Sequence, residues 1–178
     1  MTTHEQTPNV VAPIDEGLDH VRGAANAPLI LEYGDYECPY SRLAFRGIEG
    51  VERELPGGVR FAFRHFPLTE IHPHAMAAAC AAEAAAMQGR FWEMHELLFH
   101  RQKALADEDL RAYAKQVGLD SERFERERVG REVLDRVVRD VATGEASAVV
   151  RGTPTLFING ALYDGPYDAL SLIEVLSW

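Results

Sequence analysis

The stretch EYGDYECPYSRLAF runs from Glu32 to Phe45. It follows the apolar run Leu29–Leu31, and Gly34 interrupts it just after Tyr33. A short apolar run closed by glycine reads as a buried strand. Cys38-Pro39 then opens a helix, because proline lacks an N–H that would have no partner in a first turn. Ala44, Ile48, Val51 and Leu55 give that helix an apolar stripe, and Pro56-Gly57-Gly58 ends it. The junction places one thiol at a helix N-terminus. The position three residues on, where a second cysteine would complete a Cys-x-x-Cys pair, is Ser41.

Outward from this junction, Val59, Phe61 and Phe63 alternate with more polar residues, so VRFAFRH predicts a second strand. Strand, helix and strand imply a parallel pair. From Ile71 to Val150 the pattern is helical. An Ala-rich helix is predicted over about 74–88, a second over 91–102, a third between Asp107 and Gly118, a short one after Asp120, and a longer one through Val133, Val137 and Val141. TPTLFINGALYDG returns to strands, with Asn159-Gly160 as a hairpin turn. A last helix is expected over about 167–177. The fold class is therefore α/β, with a mixed sheet carrying helices. Residues 1–25 read as a flexible lead-in. Residues 26–178 read as one domain with a helical insertion at about 70–150.

Composition narrows the function. The chain has 178 residues, 47% hydrophobic and 26% charged, with a formal net charge of -10. No basic run offsets that charge, which argues against nucleic acid or an anionic membrane as partner. Two cysteines, Cys38 and Cys80, are too few for a disulfide scaffold. The polar opening residues lack the apolar core of a signal peptide, and no segment is long enough to span a membrane. The expectation is a cytoplasmic monomer.

The chemistry centres on Cys38. Unpaired N–H groups and the positive end of the helix dipole favour a thiolate there, and thiolates attack disulfides. Glu32 is the one charge in an apolar strand. It is either a buried carboxyl with a raised pKa or a partly solvated edge residue. Cys80 falls in line with Met76, Ala84 and Met87 and reads as core. His72 and His74 flank Pro73, with further histidines at 65, 95 and 100. Histidines so placed point to local structure rather than to a metal site. Phe91 and Trp92 read as core or groove wall, and no phosphate-binding loop is present.

EYGDYECPYS, FRHFPL (63–68), HPHAMAAA (72–79), GRFWEMHELLF (89–99) and GTPTLFING (152–160) together resemble the DsbA-like thioredoxin-fold oxidoreductases. The resemblance spans about residues 18–178. It implies a thioredoxin fold with an inserted helical subdomain. It implies a cis bond before Pro154, which would lie beside Cys38, and a role for the Thr153 backbone in pairing with substrate. Pro39 and Tyr40 join Thr153 and Pro154 as expected substrate-contacting residues. Glu32 becomes a candidate proton relay.

Ser41 departs from the dithiol members. A serine hydroxyl cannot attack a mixed disulfide, but it could donate a hydrogen bond to the Cys38 thiolate. The resemblance thus implies a monothiol thiol–disulfide oxidoreductase acting on protein or small-molecule thiols and disulfides. It would need no metal or nucleotide, and an external thiol such as glutathione would complete the cycle. Two alternatives are a glutathione-dependent transferase or isomerase activating a bound thiol through Ser41, and a non-catalytic peptide-binding protein.

Overall fold

In a strand, successive side chains point to opposite faces, so each strand here feeds two cores. A computed structural model describes residues 11–177. In it β1 (His20–Gly23), β2 (Leu29–Gly34), β3 (Arg60–His65), β4 (Thr155–Ile158) and β5 (Ala161–Tyr163) form one sheet in the order β1-β3-β2-β4-β5. The pair β2–β3 is parallel; the other three pairs are antiparallel. This is the mixed sheet of a thioredoxin fold.

Ile30, Phe61, Phe63, Leu156 and Ile158 belong to the larger core. Leu31, Tyr33, Ala62 and Phe157, one residue out of step, belong to a smaller one. Glu32 shares the parity of Ile30 and lies in register with Phe63 and Leu156. The alternation therefore directs it into the larger core.

The helix α1 (Pro39–Glu54) buries Phe45, Ile48 and Val51 in that core. The closing helix α7 (Ala169–Leu176) lies against α1 and starts at Asp168, whose side chain accepts from Ser171 N–H. Gly47 permits the approach: a Cβ there would sit 1.7 Å from the Tyr167 carbonyl oxygen. Between β3 and β4 come α2 (Ala75–Ala86), α3 (Phe91–His100), α4 (Asp107–Gln116), α5 (Ser121–Glu127) and α6 (Arg131–Ala146). The helix α2 is buried nearly all round. Its alanines let α3, α4, α5 and α6 all pack on it.

The predicted elements appear, with ends shifted by a few residues, and Asn159-Gly160 turns the β4–β5 hairpin with positive φ at both residues. The lead-in differs. Residues 1–10 lie outside the described residues, but His20–Gly23 is an edge strand on β3, and Asp19 beside it is buried. Four residues are too few to show a period of two, and the partners of this strand lie about forty residues away in sequence.

Candidate active site

The turn from β2 into α1 brings Cys38 to the N-cap of α1, with an extended backbone (φ -75°, ψ 121°) and Pro39 as the first helical residue. The Cys38 side chain does not cap the helix. It points across the turn, and its thiol donates to the carbonyl oxygen of Thr153 at 3.2 Å. The Thr153–Pro154 peptide bond is cis. Thus two segments 115 residues apart meet at the sulfur. Cys38 is only 4% exposed, whereas Pro39 and Tyr40 stand out in solvent. Thr153 and Pro154 are half-buried, and Thr153 Oγ1 is buried with no hydrogen-bond partner among the described residues.

Ser41 lies elsewhere than expected. It is fully buried, and its hydroxyl oxygen accepts from the Asp35 N–H at 3.2 Å. Among the described residues no hydrogen bond joins Ser41 to Cys38. The reason is local: the tight turn leaves the Asp35 N–H pointing into the first turn of the helix, and a buried N–H must be paired.

Asp35 and Glu37 frame the turn. Asp35 accepts from the N–H groups of Glu37 and Leu68 and pairs with His72 Nδ1 at 2.7 Å. Glu37 accepts from the His74 N–H at 2.7 Å and pairs with His74 Nδ1 at 2.9 Å. The histidines flanking Pro73 thus clamp the thiol-bearing turn to the entry of α2. Gln102 completes the clamp, its amide donating to the carbonyls of Tyr36 and Cys38, both at 2.8 Å.

Beneath the turn, Glu32 is 0% exposed, and neither carboxylate oxygen has a hydrogen-bond partner among the described residues. Burial pushes its pKa up to about 8. Gly34 leaves room for it, since a Cβ there would lie 2.8 Å from Glu32 Oε1 and 2.4 Å from the Phe63 ring. The Tyr167 hydroxyl is raised by burial, with Glu32 and then Cys38 adding to the shift. Tyr167 therefore belongs to this neighbourhood. Its place in the sequence, before the last helix, gave no sign of that.

Cys80 is buried on α2, and burial, with Glu83 nearby, pushes its thiol up to about 11. Among the described residues, the three potential metal-ligand groups that converge, within 4.8 Å of one another, are His20, His65 and Glu83. Both Nε2 atoms lie 2.7 Å from the same Glu83 oxygen. Burial alone would raise the Glu83 carboxyl, but these two bonds hold it well below the usual range. The three residues tie β1, β3 and α2 together. In most metal sites each ligand histidine is anchored through its second nitrogen. His65 Nδ1 is buried without a hydrogen-bond partner among the described residues.

Comparison with known proteins agrees with this geometry. A family described as Thioredoxin matches residues 15–176. A thioredoxin-like oxidoreductase from Silicibacter pomeroyi DSS-3 is 27% identical, with a TM-score of 0.78 over 89% of this chain and 90% of that one. BdbD from Bacillus subtilis, 21% identical, has a TM-score of 0.79 over 90% and 92%. A DsbA-type protein of Wolbachia pipientis, alpha-DsbA1, is 19% identical, with a TM-score of 0.78 over 96% and 94%. Among curated proteins, "Na(+)/H(+) antiporter NhaA 3" of Salinispora tropica is 45% identical over 95% of this chain and 25% of its own length. A Herminiimonas arsenicoxydans protein of similar name is 41% identical over 92% and 26%. The chain thus spans about a quarter of the length of these relatives. No described helix is long and apolar enough to cross a membrane. With a thiol at a helix start, a cis-proline loop beside it and a family match along nearly the whole chain, the protein belongs to the thioredoxin family, in the DsbA-like form of its fold.

Proposed function

We propose that this DsbA-like thiol–disulfide oxidoreductase works with a single thiol. Cys38 attacks a disulfide, holds one half as a mixed disulfide, and gives it up to a thiol from outside the chain. The observation that supports this most is the occupancy of the fourth position. Ser41 is buried against the Asp35 N–H, and Cys80 is a core thiol on a different element. Neither is set up to attack a Cys38 adduct.

In this reading the Thr153 carbonyl that now accepts from the thiol, and the rest of the cis-proline loop, hold an extended substrate beside the sulfur. Glu32 supplies or takes a proton below the site. A carboxyl with a pKa near 8 is protonated in part at neutral pH, which suits that role. Ser41 as activator of a separately bound thiol finds no support, since its hydroxyl faces the backbone of its own turn.

The test is single-turnover release. Cys38 loaded with a small thiol as a mixed disulfide should keep it in buffer and release it when free thiol is added. Ser41→Cys should release it unaided, because positions 38 and 41 are neighbours on one helical turn. Unaided release from the parent at the rate of Ser41→Cys would overturn the monothiol reading.

A further inference from the structure

Most cations of this acidic protein are neutralised in place. Arg22 pairs with Glu52 and Glu96, Arg64 with Asp19, Arg128 with Glu125 and Asp107, and Arg136 and Arg139 with Asp140. Beside Cys38 the pattern reverses. Pro39, Tyr40 and Leu43 form the apolar side of a groove of about 440 Å3, and Arg42, Arg46 and Lys103 form its charged side. An adjoining hollow of about 280 Å3 adds Arg101 to Arg42 and Lys103. Among the described residues none of these four cations has a salt-bridge partner, and the Nε of Arg42 is buried without a hydrogen-bond acceptor. Glu49, a turn beyond Arg46 on α1, is held by His100. Glu37, before Cys38, is held by His74.

Four unneutralised cations in one place, on a chain of net charge -10, form a local positive field against a repelling background. Such a field concentrates anions and orients them. The groove reaches the sulfur's own turn, because Gln102 lines it while donating to the Cys38 carbonyl. Its volume suits a small molecule rather than a folded partner.

We infer that this groove binds the small external thiol, and that the thiol is an anion carrying carboxylates. The inference rests on the monothiol reading above. In the forward step the Cys38 thiolate attacks a disulfide RS–SR. The Sγ–S bond forms, the S–S bond breaks, and RS⁻ leaves with the electron pair and takes a proton from water. Arg46 and Lys103 hold the carboxylates of R. In the reverse step the same cations hold the incoming RS⁻. No other oxidant or reductant is required.

Three small disulfides test this: 3,3′-dithiodipropionate (anionic), bis(2-hydroxyethyl) disulfide (neutral) and cystamine (cationic). The rate of Cys38 adduct formation is read by mass spectrometry. Each rate is divided by that of 2-mercaptoethanol with the same disulfide, which removes leaving-group differences. At low salt the normalised anion-to-neutral ratio should be about 10, and it should fall towards unity in high salt. Arg46 and Lys103 are exposed, so the double variant Arg46→Glu, Lys103→Glu leaves the core untouched. It should reverse the preference and make cystamine the fastest. Equal normalised rates for all three disulfides, unchanged in the double variant, would overturn the anion site while leaving Cys38 exchange standing. Failure of Cys38 to react with any of them would overturn the exchange reading and this inference with it.

Discussion

Two buried carboxylates on opposite faces of the sheet have opposite fates. Asp19, below the smaller core, meets Arg64 in a two-pronged pair (Nε–Oδ1 2.9 Å, Nη2–Oδ2 2.7 Å) with both side chains fully buried. Arg139 adds a bond to Asp19 at 2.8 Å. The guanidinium of Arg64 also donates to the Tyr33 hydroxyl and to the carbonyls of Ala12 and Pro13. Burial alone would raise the Asp19 carboxyl, but these partners hold it well below its usual range. Glu32, equally hidden on the Cys38 face, has no hydrogen-bond partner among the described residues and is pushed up to about 8. A buried charge that is fully paired holds elements in place. One left unpaired stays protonated near neutrality and is available for proton transfer.

The largest effect expected from breaking this contrast is at the paired site. Asp19→Ala strands the Arg64 guanidinium in the core and should cost about 3–5 kcal/mol in urea unfolding. The folded variant should still form Cys38 adducts at the parental rate. A loss below about 1 kcal/mol would mean that the pair is not the clamp described.

Glu32→Gln sharpens the other half through pH. The folded state binds the Glu32 proton more tightly than the unfolded chain, whose reference value is 4.5. Below about pH 4.5 both states are protonated and nothing is lost. As pH rises towards about 8 the unfolded chain ionises first, so stability falls. Glu32→Gln removes that fall. From pH 4.5 to 7 the stability of the variant relative to the parent should improve by about 3 kcal/mol. A constant difference across that range would place Glu32 in contact with water. If Glu32 also relays protons, the rate of Cys38 exchange should lose part of its pH dependence in the same variant.

The smallest effect is expected at Ser41. Sulfur for oxygen there changes volume little, so Ser41→Cys should cost less than about 1.5 kcal/mol in urea unfolding. It gives up the hydrogen bond from the Asp35 N–H while supplying a second thiol. A larger loss would show that this bond, and not only the clamps at Asp35 and Glu37, keeps the turn in shape.

Much of the site was legible because its signals are local. Glycine, proline and the change of hydrophobic period placed Cys38 at a helix start, and its charge in an otherwise apolar run made Glu32 the anomaly of its strand. Residues whose partners are remote were not legible. Ser41 was expected to face Cys38 and instead satisfies the Asp35 N–H, a choice set by how sharply the turn closes. His72 and His74 read in sequence as local structure, but their partners Asp35 and Glu37 lie 37 residues away. The buried Arg64 reads in sequence as the polar side of an alternating strand. Only its covering by Asp19, Ala12 and Pro13 makes it core.

By itself the sequence determined the order and type of the main elements, the single cysteine at the head of α1, and Glu32 as the one charge in its strand. Periodicity, capping and turn chemistry act over a few residues and are written there. The tertiary structure alone decided that a four-residue edge strand closes the sheet, that Tyr167 comes near Cys38 and Glu32, and that two arginines and a lysine without salt-bridge partners among the described residues line a groove beside the thiol. Each of these depends on which distant surfaces meet when the apolar faces are buried. Burial is non-directional and proportional to area, and it leaves no local mark on the chain.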